Sequence, residues 1–192
     1  MLAPLPPAMV SCGSMEKPNI ITVAWCGILA THPPKTYISV RPSRHSYGLI
    51  KESGEFVINL TPEALVKSCD FCGIYTGKKV AKFKKCGLTP EESEKVSCPS
   101  IGESPLSIEC KVTDIVPLGS HDMFVADIVS VGVDETLIDE NGKLRLDKAR
   151  LTAFAHGEYF ALGKKIGTFG FSTKKKKKPA NKPNPGIKKG KV

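Results

Sequence analysis

Two long β-branched runs, LSIECKVTDIVPL (residues 106–118) and HDMFVADIVSVGVDE (residues 121–135), stand back to back with only Gly119-Ser120 between them. Strands joined by so short a turn pair antiparallel, because a parallel return needs a crossover of a dozen or more residues. The pair constrains the fold more than any other feature of the chain. Around it lie further strand signals without regular intervening helices, which points to a closed or split antiparallel barrel rather than a doubly wound sheet. TYISV (residues 36–40) alternates and is β-branched. Pro42 ends it, Ser43 can cap, and residues 44–53 read as a helix with Tyr47 and Ile50 on one face, stopped by Gly54. EFVINL (residues 55–60) is another strand. Thr61-Pro62-Glu63 combines a cap, a first-turn proline and an acid, so it starts a helix running to Gly73. A third helix spans 79–85 and ends at Gly87; Thr89-Pro90-Glu91-Glu92 repeats the start signal with little apolar sequence after it. Asn141-Gly142, between TLID and KLRL, predicts a tight hairpin in which both central residues take positive φ.

Charge divides the chain in two. Nine of the 28 Lys and Arg lie between Lys174 and Val192, where there is no acid; the remaining 19 match the 19 Asp and Glu. The body, residues 1–173, is therefore neutral and reads as one domain. The lysine-rich 174–192 segment buries too little to offset its ordering entropy and is expected to be disordered. Such a tail either attracts nucleic acid or another polyanion, or simply solubilises. The longest largely apolar run, residues 20–30, falls short of the ~20 residues a membrane helix needs. The N-terminus has no Lys or Arg before Lys17 and is broken by prolines, unlike a secretory signal. These features lead to a cytoplasmic protein whose seven cysteines are thiols.

Several chemistries are excluded by what is missing. There is no GxGxxG after a strand, no phosphate-binding P-loop, no nucleophile elbow and no HExxH. Cys69 and Cys72, spaced i and i+3 on the expected second helix, could hold zinc or cycle as a dithiol; a structural zinc site wants a second close pair, which Cys86 and Cys98 do not supply. The reading is of buried thiols and no metal. His32, His45, His121 and His156 show no ligand spacing.

The stretch Lys17-to-Val40, KPNIITVAWCGILATHPPKTYISV, has a different logic. Along a strand, Ile21, Val23 and Trp25 project to one face and suit a core. Ile20, Thr22 and Ala24 project to the other, where a hydroxyl and a small methyl let a planar ligand approach the backbone. Asn19 adds a donor and an acceptor at the strand's start. His32-Pro33-Pro34 ends the ladder. The next strand delivers Arg41-Pro42-Ser43-Arg44-His45-Ser46 to a helix N-terminus, where free N–H groups, guanidinium groups and hydroxyls favour a phosphate. Taken alone, the same residues serve equally as a capped helix start with solvated arginines.

The succession PNIITVAW, HPPKTYISVRPSRHSYGLIKESGEFVINL and GSHDMFVADIVSV resembles the flavin reductase-like family of FMN-binding split barrels, in its flavoredoxin and archaeal ferric reductase-like branch, from about Met9 to Phe171. The resemblance implies a mainly β fold with a few helices, a six-stranded antiparallel Greek-key split barrel, homodimeric, with FMN near the subunit interface. It implies that Asn19, Thr22, Val23, Ala24, Trp25 and Cys26 line the isoalloxazine, and that Arg44 and Ser46, with Ser39 and Arg41 nearby, serve the phosphate. Asn59 and Thr76-Gly77 would also reach the cofactor. His121 matches a histidine that reductases place near the nicotinamide. Ser120 stands where that motif has aspartate, and Ile28 and Ala30 where many members carry serines. The implied function is an FMN-dependent oxidoreductase or electron carrier, passing electrons from a small-molecule or protein donor, NAD(P)H being one candidate, to a flavin, ferric or protein acceptor. The rivals are a nucleic-acid-binding barrel acting through its tail and a Cys69/Cys72 metal or dithiol module.

Overall fold

The computed structural model describes residues 2–173; the tail expected at 174–192 lies outside the described residues. Strands β1 (Ala8–Gly13), β2 (Pro18–Val23), β3 (Cys26–Thr31) and β4 (Pro34–Val40) lead to helix α1 (His45–Ser53) and strand β5 (Glu55–Leu60). Helices α2 (Val66–Ile74) and α3 (Lys82–Cys86) follow, then two short strands, β6 (Pro90–Glu91) and β7 (Ser100–Ile101). The long pair β8 (Leu106–Pro117) and β9 (Asp122–Val133) precedes a hairpin of β10 (Thr152–Ala155) and β11 (Glu158–Ala161).

One antiparallel sheet has the order β2-β1-β5-β8-β9-β4-β3. Its two outer members are consecutive in the chain. A single run from Pro18 to Thr31, interrupted at Ala24 and Trp25, hydrogen-bonds β1 with its first half and β4 with its second. Across the interruption the Ser39 N–H donates to the Trp25 carbonyl at 2.8 Å. The sheet thereby returns on itself, and counting the interrupted run once reconciles the seven strands with the six expected.

The interruption corrects the face assignment of Trp25. Ile21 and Val23 enter the barrel core beside Val10, Ile38, Val40, Phe56, Ile58 and Phe124, but the alternation stops at Val23, and Trp25 is 56% exposed. The opposite face of β1 and β2 is also buried. Met9 and Ile20 pack with Leu65, Cys69, Cys72, Phe83, Leu88 and Ile101, most of them carried by α2, α3 and their flanks. The strands that read as continuous apolar runs are those covered on both sides. Helix α1 packs Ile50 and part of Tyr47 and Leu49 into the barrel core.

Other local expectations shift for identifiable reasons. The N-cap of α1 is Arg44, not Ser43, and no side chain caps it; Gly54 ends the helix at φ 68°. After Thr61-Pro62 the chain first makes a 3-10 turn, Glu63–Leu65, before α2 begins, and the Thr61 hydroxyl turns to Cys69 Sγ (3.7 Å) instead of capping. The third helix is shorter than expected, starting at Lys82. Pro90 and Glu91 form a strand because they pair with Ile101 and Ser100. The chain does reverse at Asn141-Gly142: Ile138 and Leu144 bridge antiparallel, the Asp139 N–H donates to the Lys143 carbonyl at 3.0 Å and the Arg145 N–H to the Leu137 carbonyl at 2.7 Å. The turn type differs from the expected one, because the Asp139 carboxylate accepts the Asn141 and Lys143 N–H groups and only Gly142 takes a positive φ.

Candidate functional site

The interruption at Ala24–Trp25, the start of α1 and the end of α2 converge on two contiguous hollows. One, of about 310 Å3, is lined by Ile21 to Trp25 from the interrupted strand, Ser39, Val40 and Arg41 from the end of β4, Arg44, and His121 from the β8–β9 turn. The other, of about 200 Å3, shares Ile21, Arg41 and Arg44 and adds Ser43, His45 and Ser46, the α2 end from Cys72 to Gly77, and Lys82. At the first, Trp25 and His121 stack with ring centroids 6.0 Å apart and 11° between planes. Arg41 Nε donates to His121 Nε2 at 3.4 Å, and Ser120 Oγ lies 2.9 Å from Nδ1. Arginine can only donate, so Nε2 accepts and the imidazole proton resides on Nδ1, facing the serine hydroxyl.

The second hollow concentrates positive charge without a counter-ion. Among the described residues no carboxylate pairs with Arg41, Arg44 or Lys82. Lys82 is only 3% exposed, and Nζ donates to the Ile20 and Cys72 carbonyls at 2.6 and 2.7 Å. Two of its three protons are thus engaged, leaving one for a further acceptor. Burial pulls the Lys82 pKa below its usual value, with Arg44 pushing the same way. Burial, then Lys78 and Lys82, likewise hold His45 low. A buried cation without a carboxylate is costly, and an anion seated here relieves that cost.

Asn19 stands behind Ser46 and Gly77 of this hollow and itself lines a neighbouring one of about 790 Å3. It is 6% exposed, and its Nδ2 donates to Ser46 Oγ at 2.7 Å and to Cys12 Sγ at 3.4 Å. Gly77 lies against it so closely that a Cβ would run into the Asn19 amide and stand 2.9 Å from His45 Cδ2. Gly73 has a looser fit: a Cβ there would stand 3.3 Å from Thr22 Cβ, a tight contact and not an overlap.

Most of the residues singled out from the sequence therefore meet. Thr22, Val23, Ala24, Trp25, Ser39, Arg41, Arg44 and His121 line the first hollow; Ser46, Thr76 and Gly77 line the second, with Asn19 behind them. Two do not join them. Cys26 turns toward the barrel core, its Sγ 3.8 Å from the Pro6 carbonyl. Asn59 is fully buried elsewhere. Its Nδ2 donates to the Met9 carbonyl and Ser11 Oγ, both at 2.9 Å, and its Oδ1 accepts from Ile101 N and Ser107 Oγ at 3.0 and 2.8 Å. Thr22 is also less open than its strand position suggests, since its hydroxyl donates to the Cys69 carbonyl and α2 covers that side. The sequence reading missed Lys82, which looks like one lysine among many in KKVAKFKK; only α3 docking against β2 distinguishes it.

The sequence model of the flavin reductase-like domain matches residues 2–163. The chain belongs to the flavin reductase-like family. An uncharacterized protein of Archaeoglobus fulgidus is 38% identical over 130 residues, covering 68% of this chain and 73% of its own. The solved flavoredoxin of Desulfovibrio vulgaris (Miyazaki F) superposes with a TM-score of 0.84 at 33% identity, over 91% of this chain and 95% of that one. Flavoredoxin from Methanosarcina acetivorans, at 24% identity and a TM-score of 0.83, shares the fold over 91% of this chain and 93% of that one. The architecture is that of the split-barrel flavin reductases, mainly β with few helices, and the family supports a flavin cofactor. Among the described residues no helix is long and apolar enough to cross a membrane.

Proposed function

We propose that the chain is an FMN-dependent oxidoreductase or electron carrier, and that the two hollows are one cofactor seat. The single observation carrying this reading is the convergence of Arg41, Arg44 and Lys82, all without carboxylate partners, on a hollow that adjoins the one lined by the interrupted strand from Ile21 to Trp25. The cationic hollow suits a phosphate, and the hollow beside the interrupted strand suits a flat ring. A nucleotide cofactor with one terminal phosphate meets both needs. Gly77 lines the cationic hollow at a point where any side chain would collide with Asn19. Bound flavin supplies hydride and single-electron chemistry. The chain's own residues then hold the phosphate through Arg44, Ser46 and Lys82, present the strand backbone to the ring, and leave His121 at the rim, stacked on Trp25, to orient an electron donor.

The homodimer belongs to the same reading, supported by Trp25, Ile28, Leu29, Phe160 and Leu162, which expose apolar surface on the chain. The test is spectroscopic. Purified protein is expected to absorb between 300 and 600 nm and to release FMN, not FAD, on denaturation; colourless protein that fails to take up FMN refutes the reading. Arg44→Ala is expected to weaken FMN by about 1.5 to 3 kcal/mol, the loss typical of a charged hydrogen bond. Unchanged affinity by fluorescence titration would move the phosphate elsewhere.

A further inference from the structure

The Cys69/Cys72 spacing that suggested a dithiol does not bring those two sulfurs together. The Cys69 thiol is engaged by the Thr61 hydroxyl, and Cys72 faces a different partner, with Cys72 Sγ 4.0 Å from Cys86 Sγ. It is the one thiol–thiol contact among the described residues, and all seven cysteines are free. Cys72 is fully buried on α2, while Cys86 is half-buried at the last position of α3, before Gly87 turns the chain at φ 65°. We propose that Cys72 and Cys86 are a reversible thiol–disulfide pair whose oxidation by a low-molecular-weight disulfide fastens the α2–α3 wall of the cleft.

The segment between the two cysteines explains why such a bond has consequences. It carries Thr76, Gly77 and Lys82, which line the cationic hollow, and from Tyr75 to Ala81 it has no regular secondary structure. The Lys82 ammonium ties this segment to the Cys72 and Ile20 carbonyls. A disulfide from Cys72 to Cys86 would close it into a covalent loop of 13 intervening residues. The sulfurs must approach from 4.0 Å to about 2.05 Å. A single five-residue helix carries Cys86, so a modest rotation and shift of α3 suffices.

The chemistry balances as two exchanges. The Cys86 thiolate attacks the low-molecular-weight disulfide, forming a mixed disulfide and releasing one thiolate. Cys72 then gives up its proton and attacks Cys86 Sγ, forming the internal bond and releasing the second thiol. The protein loses two electrons and two protons, and the small disulfide gains them. Cys86 makes the first attack because it is the reachable thiol, with Lys84 and Lys85 exposed beside it to attract an anionic oxidant. Burial, then the neighbouring Cys86, push the Cys72 thiol up, which makes it the poorer of the two for the first attack.

Full-length protein is incubated with oxidised glutathione, then denatured for thiol titration and peptide mapping. The expected result is loss of two of the seven thiols, with peptides containing Cys72 and Cys86 joined and both thiols restored by dithiothreitol. Cys86→Ser should retain its six remaining thiols and form no internal link; Cys86→Ala serves if the serine does not fold. A Cys69–Cys72 link, or glutathione left on Cys86 without ring closure, overturns the pairing. The wall is read separately: cleavage by trypsin after Lys78 and Lys79 should slow by about fivefold in the oxidised form, as local opening is suppressed. Unchanged cleavage with the link formed overturns the fastening. FMN affinity of the two forms is the third readout, and it alone rests on the flavin reading. Failure of both forms to bind FMN defeats that reading while the pair and the proteolysis still stand or fall on their own results.

Discussion

Gly77→Ala offers a sharp test of the candidate site, because it adds one methyl group at a point where the structure has no space. Gly77 has an ordinary negative φ, so alanine introduces no backbone strain and the effect is steric. The new Cβ would overlap the Asn19 side-chain amide and stand 2.9 Å from His45 Cδ2. Asn19 is 6% exposed and held by its 2.7 Å bond to Ser46, so it cannot swing into solvent. Forcing it aside costs about 1 kcal/mol for that hydrogen bond, on top of roughly 1 to 3 kcal/mol for overpacking. We expect a loss of about 2 to 4 kcal/mol in urea denaturation. Because Ser46 and His45 are displaced together, FMN should also weaken, by about tenfold for each 1.4 kcal/mol transmitted to the site. Gly48→Ala is the matched control. Gly48 lies inside α1 with nothing within 4 Å of its added Cβ, so the change should stabilise by about 0.5 to 1 kcal/mol. Equal stability of Gly77→Ala and wild type, with unaltered FMN affinity, would refute the packing of Asn19 against Gly77 and with it the geometry of the cationic hollow.

Asn59→Ala should destabilise by about 3 kcal/mol or more, since it strands Ile101 N and Ser107 Oγ in a fully buried site; FMN affinity of the folded fraction should be unaltered, and a specific loss of FMN would return Asn59 to the cofactor. His121→Ala should slow reduction by pyridine nucleotide more than it weakens FMN, in stopped-flow and titration respectively; equal losses would make the ring structural. Alkaline pH should destabilise the fold. Burial raises Cys12, Cys26, Cys69, Cys72, Cys98 and Cys110 above 9.0, Cys26 to about 11 and Cys110 to about 12. Between 9.0 and those values the unfolded chain has released protons that the folded chain retains, so stability present below pH 9.0 is lost as pH climbs toward 11, by up to about 1.4 kcal/mol per unit for each thiol. Lys82, whose pKa is lowered, contributes in the opposite sense below 10.5, but it is one group against six. A urea midpoint that rises from pH 9 to 11 would overturn this account.

What could be read from the sequence was whatever local periodicity or a fixed order of motifs encodes. The β8–β9 pair was legible from its length and turn, and the Arg41–Ser46 corner from a strand running into a helix start. β1 was not, because AMVSCG is short and sits among prolines, although it lies between β2 and β5 and is buried on both faces. The chain reverses at Asn141-Gly142 as expected, but the turn type with two positive φ values is found at His156-Gly157, φ 50° and 88°, between paired Ala155 and Glu158. There the flanking strands alternate and pair fully, whereas Asp139 captures the backbone at the other site. Trp25 illustrates a limit of periodicity, since two residues of broken ladder reverse its face. Lys82 and Cys86 illustrate a limit of spacing, because their partners, Ile20 and Cys72, come from elements that only tertiary packing brings near.

The run from Pro18 to Thr31 begins one margin of the sheet and finishes the other, so the cylinder has a seam, and the proposed seat lies along it. A guest bound along that seam acts as a rivet, adding about 2.7 kcal/mol to the folded form at a hundredfold excess over its dissociation constant. Without a guest, the joint is held by the continuous chain and the Ser39–Trp25 backbone bond, so the proposed seat and the closure of the barrel share one short length of chain.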